Sequence, residues 1–342
     1  MSPNERPLLS VLEHETCRPA PIWLMRQAGR YLPEYRALRA EAGSFLELCY
    51  DPKRAVEATL QPIRRFEFDA AILFSDILLI PHALGQELNF AEGEGPRLLP
   101  LQQLPVFDPA AFGRHLSPVY EALAETRVRL PEKVALLGFA GAPWTLAAYM
   151  LDGQGQSFPR AREMMMREAW GLAQLIDLLV EAVVEHLVRQ VQAGADAVQL
   201  FDSWAGLLSP AQAVEWCLAP TLRILAGFAT RCPGVPMILF PRNVDRAVLE
   251  AFAEDGRAAA LSLATEVDAA WARQHLQPRV AVQGNLDPLV LVEGGAALDR
   301  EVERLRLELG AGPWICNLGH GVLPQTPPEH VARLVRLVRR SA

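Results

Sequence analysis

Short, unbroken apolar runs recur along the chain, separated by longer stretches whose apolar residues fall every three or four positions. The runs are Ile22–Met25, Ala70–Phe74, Val134–Phe139, Ala197–Phe201, Met237–Phe240, Ala259–Leu263, Val280–Gln283 and Trp314–Asn317. Strands covered by helices on both faces read as continuous apolar runs, not as alternating ones. Eight such runs with helices between them predict a (β/α)8 TIM barrel built as a single domain over residues 1–342. The clearest helix is Gly171–Gln192, where Leu172, Leu175, Ile176, Leu179, Val183, Leu187 and Val191 fall on one face and Gly194 supplies a stop. A second spans Pro328–Arg340, its arginines placed against the negative end of the helix dipole. The Pro/Gly-rich stretch Gly93–Pro109 reads as a loop over the barrel.

In such barrels the chemistry collects at the C-terminal ends of the strands. Polar residues follow the apolar runs as that rule requires: Arg26 after the first, Ser75 and Asp76 after the second, Asp202 and Ser203 after the fourth, Asn285 and Asp287 after the seventh, Asn317 and His320 after the eighth. After the third run, Gly141-Ala142-Pro143-Trp144-Thr145 turns into a helix that would carry Tyr149 to the mouth.

Composition narrows the choice of ligand. The chain of 342 residues is 51% hydrophobic, with 33 basic against 40 acidic residues and a net charge of -7. That balance argues against general nucleic-acid binding. The start, MSPNERPLLS, lacks a secretory pattern, and the most apolar stretch, Ala70–Leu84, is broken by Ser75, Asp76, Pro81 and His82, which leads us to expect a cytoplasmic protein. The five cysteines form neither a CxxC nor an HxC pair, so buried free thiols are expected and no metal.

Against this acidic background, PIWLMRQAGRYLPEYRALR sets Arg26, Arg30, Arg36 and Arg39 around one glycine. Guanidinium forks suit carboxylate and phosphate, so the stretch reads as a pocket for a polyanion. Pro33 favours a helix start, leaving Arg26 and Arg30 in the loop with Arg36 and Arg39 on the helix. Internal salt bridges to Glu34 and Glu41 are the bland alternative. Asp76, between apolar residues in FSDILLIP, needs either a helix N-terminus to cap or a ligand to meet. His320 lies between glycines in NLGHGVLP, Ser203 suits hydrogen bonding better than attack, and Tyr149 could be a core aromatic with an exposed hydroxyl. Asp196 and Asp202 carry no functional signal of their own.

PIWLMRQAGRYLPEYR resembles the N-terminal signature of the uroporphyrinogen decarboxylase family. LQPIRRFEFDAAILFSDILLIPHALG, GFAGAPWTLAAYML, LFDSWAG, VQGNLDP and NLGHGVLPQTPPEHV resemble its later blocks in the same order. The resemblance implies a somewhat distorted barrel, a homodimer, and removal of the acetate carboxyls of a reduced tetrapyrrole with no metal or organic cofactor. It places Arg26, Gln27, Ala28, Gly29, Arg30 and Arg39 on substrate carboxylates and Asp76 on the pyrrole nitrogens. Tyr149, Ser203 and His320 complete the pocket, and Asp76, Arg26 and Arg30 become the catalytic set. Two segments depart from the pattern: Arg242-Asn243 replaces a Lys-Gly pair, and Leu261–Thr265 lacks an acidic and an aromatic residue. Effects are expected at the far rim, at dimer contacts or in turn geometry. The rival readings are a zinc- or corrinoid-linked methyltransferase of the same superfamily and a non-catalytic tetrapyrrole carrier.

Overall fold

The computed structural model describes residues 6–91, 95–155 and 157–340. Among them nine strands form, in chain order β1 (Ala70–Ile72), β2 (Leu88–Ala91), β3 (Gly95–Leu98), β4 (Ala135–Gly141), β5 (Ala197–Asp202), β6 (Met237–Pro241), β7 (Ala260–Ser262), β8 (Ala281–Gln283) and β9 (Trp314–Ile315). Seven of them make one parallel sheet in the order β1-β4-β5-β6-β7-β8-β9, with helices between successive strands. Each strand pairs with its successor, so the sheet curls, and the Pro21–Trp23 segment spans its two edges. Asp69 N–H donates to Ile22 C=O (2.9 Å) beside β1, while Cys316 N–H donates to Pro21 C=O (2.8 Å) beside β9.

The run Ile22–Met25 is therefore not a strand, although it occupies the eighth position. Only Ile22 bridges Cys316. Two side chains take the place of ladder carbonyls: Ile22 N–H donates to Asp69 Oδ2 (2.8 Å) and Met25 N–H to Asn317 Oδ1 (3.0 Å). The barrel closes, but with side-chain bonds where main chain was expected.

Seven of the eight predicted runs appear as strands, shifted by a residue or two. The long helix spans Ala169–Gln192, its apolar stripe buried down to Leu187 and half-buried at Val191. The closing helix is Pro328–Arg339, with Arg336 and Arg339 in its last turn. The expected loop Gly93–Pro109 needs correction. Residues 93 and 94 lie outside the described residues, but Gly95–Leu98 is a strand paired antiparallel with Leu88–Ala91, so part of the excursion is a hairpin.

Inside the barrel runs a polar chain that the apolar reading of the strands overlooked. Trp23 Nε1 donates to Gln283 Oε1 (2.9 Å), and Gln283 Nε2 lies 3.1 Å from both Gln199 Oε1 and Ser262 Oγ. All four residues are at most 1% exposed, so these bonds meet needs that water cannot. Ser262 belongs to the divergent segment, which lines the barrel wall; Ala264 and Thr265 carbonyls accept from Asn285 Nδ2. The five cysteines are free, with Cys17 half-buried and the others buried.

Candidate active site at the C-terminal rim

Pro33 opens the helix Pro33–Glu41, as expected, and leaves residues 24 to 32 as a loop above the strands. None of Arg26, Arg30, Arg36 and Arg39 forms an ion pair among the described residues, and Glu34 pairs instead with Arg65 (3.2 Å). Salt bridging within the stretch is thus ruled out as the reason for its cations. The four still differ. Arg36 Nη1 donates to the carbonyls of Arg30 (2.8 Å) and Tyr31 (3.3 Å), so it braces the loop, whereas Arg39 donates only to Gly43 C=O (3.2 Å). Arg26 and Arg30 are both exposed.

Arg26 has φ of 60°, a left-handed conformation that L-residues adopt at a cost. Its stem crosses Gly321, where a Cβ would sit 2.5 Å from Arg26 Cδ and 2.7 Å from Cγ. Glycine there gives the arginine its path.

Asp76 follows β1. The turn is pinned by Phe74 N–H donating to Thr59 Oγ1 (2.9 Å), and Asp76 Oδ1 accepts from Leu78 N–H (2.8 Å). The residue braces the helix Leu79–Ala83 without being its N-cap, which is Leu78. Asp76 forms no ion pair among the described residues. Burial pushes its carboxyl up to about 6, only partly opposed by the Leu78 hydrogen bond and the Arg26 charge. An anion held this way has no counter-ion in contact among the described residues and lies in the field of Arg26.

The field of Arg26 also reaches Tyr149 and His320. Tyr149 sits on the helix Pro143–Asp152, wedged by Phe158 (5.3 Å between ring centres) and Trp204 (6.2 Å). Burial raises its phenol, with Asp76 adding to the effect. His320 is pushed down to about 4 by burial first, then by Arg26 and Arg242. It is neutral at pH 7. Arg30 and Arg39 both act on Tyr35 beneath them, and Arg39 and Asp76 both act on Cys49.

Ser203 is half-buried in a turn clamped by its neighbours: Thr145 Oγ1 donates to Asp202 Oδ1 (2.6 Å) and accepts from Trp204 N–H (3.1 Å). Asp202 is structural here, and Asp196 takes Arg127 (2.8 Å) and Leu136 N–H (2.7 Å).

The structure thus brings Arg26, Asp76, Tyr149 and His320 together at one mouth, with Arg30 and Arg39 grouped on the flank. Gln27 is different. Its fully buried side chain accepts from Leu24 N–H (3.2 Å) and donates to Ala70 C=O (3.1 Å), so it braces the scaffold and does not reach the surface. The neighbouring main chain is freer: among the described residues the amides of Ala28 and Gly29 have no protein acceptor. Gln27→Ala should leave Leu24 N–H and Ala70 C=O unmet, at about 1–3 kcal/mol each. Urea unfolding should show a loss of about 2–6 kcal/mol, and an unchanged midpoint would refute the scaffold role.

One mouth residue was missed by sequence reasoning. Arg242 follows β6, is half-buried, has no ion-pair partner among the described residues and helps hold His320 neutral. The rule that polar residues follow each strand would have found it. Asn317, two residues beyond β9, was marked among the polar residues that follow the eighth run but given no role of its own; it is fully buried.

A second basic surface, a groove of about 570 Å³ lined by Arg64, Arg65, Arg336, Arg339 and Arg340, lies near the N-terminal end of β1. Four of these arginines end helices, and Arg339 meets Asp69 (3.4 Å), so the dipole reading stands for that cluster.

A curled parallel sheet ringed by helices, with unpaired cations over its C-terminal rim, defines an α/β barrel of the enzyme type. The fold is shared by a methyltransferase from Methanosarcina mazei, with a TM-score of 0.79 over 97% of this chain and 96% of that one at 21% identity. Sequence comparison goes further. The family model described as uroporphyrinogen decarboxylase (URO-D) matches residues 3–341. The uroporphyrinogen decarboxylase of Rhodospirillum rubrum is 48% identical over 99% of this chain and 98% of its own length, and that of Rhizorhabdus wittichii is 50% identical over 98% and 97%. The chain belongs to the uroporphyrinogen decarboxylase family.

Proposed function

We propose that this protein removes the carboxyl group from each of the four acetate side chains of uroporphyrinogen III, giving coproporphyrinogen III and carbon dioxide in tetrapyrrole biosynthesis. Family membership over nearly the whole chain supports the reaction. The single structural observation that carries it is a half-buried Asp76 carboxylate with no ion-pair partner among the described residues, set near arginines that are likewise unpaired.

Decarboxylation leaves an electron pair on the acetate methylene. An electron-rich pyrrole accepts it if a ring carbon has first been protonated. Departure of carbon dioxide then restores the neutral ring electrons, and protonation of the methylene carbon with loss of the ring proton leaves a methyl group. One proton is consumed for each carbon dioxide released. Asp76, accepting pyrrole N–H bonds as an anion, stabilises the cationic ring in a site arranged beforehand. Arg26, Arg30 and Arg39, with the free amides of Ala28 and Gly29, hold carboxylates and decide which acetate reacts. Each guanidinium–carboxylate contact supplies about 4 kcal/mol of Coulomb attraction at 4 Å and an effective dielectric near 20, before desolvation. Tyr149 and Ser203 offer hydroxyls to the same substrate. His320 is a poor proton donor: with its pKa near 4, about one molecule in a thousand is protonated at pH 7. A substrate carboxyl or a water is the better source.

The macrocycle is read as the partner, with a homodimer and a cytoplasmic, one-domain protein as further parts of the proposal. A single contiguous core supports one domain. Trp170 and Met166, both 76% exposed, offer apolar surface that a subunit contact would cover. No helix among the described residues is long and apolar enough to cross a membrane. The methyltransferase reading draws support from fold alone, and no three His, Cys, Asp or Glu side chains converge among the described residues.

The function is tested by anaerobic incubation with uroporphyrinogen III and measurement of released carbon dioxide. Four equivalents per macrocycle are expected. Tight binding with no release would establish a carrier.

A further inference from the structure

Asn317 occupies the place where the barrel ladder gives out. Its Oδ1 accepts from Met25 N–H (3.0 Å) and from Leu318 N–H (2.8 Å), linking positions 292 residues apart. Val322 N–H donates to Met25 C=O (2.9 Å). The Met25 peptide is thus gripped on both sides by the Asn317–Val322 turn. The next residue is Arg26, held in its left-handed conformation with its stem over Gly321. His320 stands between these contacts. Asn317 is fully buried, and its Nδ2 finds no partner among the described residues, so the carboxamide sits at this position with one polar demand unmet.

We propose that Asn317 is a positioning residue for the decarboxylation: its carboxamide locks the arginine loop to the histidine turn and so fixes the Arg26 guanidinium over the mouth. The claim that Arg26 acts on substrate rests on the proposed function; the claim that Asn317 places Arg26 does not. The mechanical sequence is short. Without the Oδ1 acceptor, Met25 N–H is left unpaired in a dry interior, the loop lifts to find another partner, and Arg26 loses its seat against Gly321. A small displacement of a substrate-positioning group costs rate even though nothing touching the substrate has been removed. His320 reports the displacement, because after burial, the largest cause, the charges of Arg26 and Arg242 depress its titration. Only Arg26 belongs to the loop that Asn317 holds.

The test uses the full chain carrying Asn317→Ala, Asn317→Ser or Gly321→Ala, with two readouts. Without substrate, the His320 imidazole proton resonance, assigned by its loss in His320→Gln, is titrated by NMR. With uroporphyrinogen III, kcat and KM are measured anaerobically. For Asn317→Ala the His320 titration should move upward towards the ordinary histidine value, and kcat/KM should fall about 100-fold. Asn317→Ser, whose hydroxyl reaches less far, should give a smaller change in both. Gly321→Ala, which displaces the arginine stem and leaves the carboxamide bonds alone, should shift His320 the same way. A folded Asn317→Ala or Asn317→Ser with an unmoved His320 titration would overturn the proposal whatever its activity. If Asn317→Ala does not fold, Asn317→Ser decides. An upward shift with no decarboxylation in the unsubstituted protein would keep the positioning role and sink the proposed reaction instead.

Discussion

Asp76→Asn should lower kcat by at least about 10³-fold while the protein stays folded, because the amide keeps the Leu78 hydrogen bond but cannot offset a cationic pyrrole. Stability should move the other way. In the folded chain the Asp76 carboxyl is raised to about 6 from an ordinary 3.8, chiefly by burial. A group that ionises less readily when folded favours the folded state at low pH and loses that advantage as pH climbs from 3.8 through 6. Ionised Asp76 therefore costs the native protein up to about 3 kcal/mol above pH 6, at 1.36 kcal/mol per pH unit. The Asn variant should melt at the same temperature as the parent at pH 4 and higher at pH 8. If the aspartate were held by an internal ion pair, the variant would melt lower at pH 8. Activity should also fall on the acid side of pH 6 in the parent. Asp202 titrates near the same value, raised by burial, so Asp202→Asn is the control: the acid limb should survive in it.

Arg26→Ala should lower kcat/KM by about 10²–10³-fold, since a bidentate charged contact and the orientation it gives are lost together. Arg26→Lys should recover little, because a point charge on a flexible stem does not reproduce the fork. The same substitution removes a cation from three neighbours at once. Asp76, which Arg26 helps to ionise, should titrate above 6, carrying the acid limb of any residual activity upward; His320 should rise from about 4. Turnover within threefold of the parent, or an unmoved acid limb, would take Arg26 out of the mechanism.

Much of this site could be read from residue order, and the reason is local. Strand ends carry the chemistry in a barrel, so Arg26, Asp76, Ser203 and His320 were each marked by an apolar run just before them. The four arginines stood out against an acidic chain. What stayed hidden depends on contacts between distant positions. Nothing near Ile22 shows that Asp69 and Asn317 will supply the carbonyls its strand lacks. Gln27 sits inside the signature, yet its amide answers Ala70, 43 residues away. Gln199 and Gln283 look like blemishes in apolar runs until they meet inside the barrel. Arg242 was locally legible and was counted only as a departure from the family pattern.

The central claim is that an unpaired Asp76 anion under guanidinium forks turns carboxylate binding into decarboxylation. The most direct measurement compares the parent and Asp76→Asn anaerobically with uroporphyrinogen III, separating oxidised products by carboxyl number and measuring binding of coproporphyrinogen in parallel. The parent should give a ladder ending at the four-carboxyl product. The variant should bind comparably and leave the starting macrocycle whole. A full ladder from Asp76→Asn, or none from the folded parent, would contradict the account.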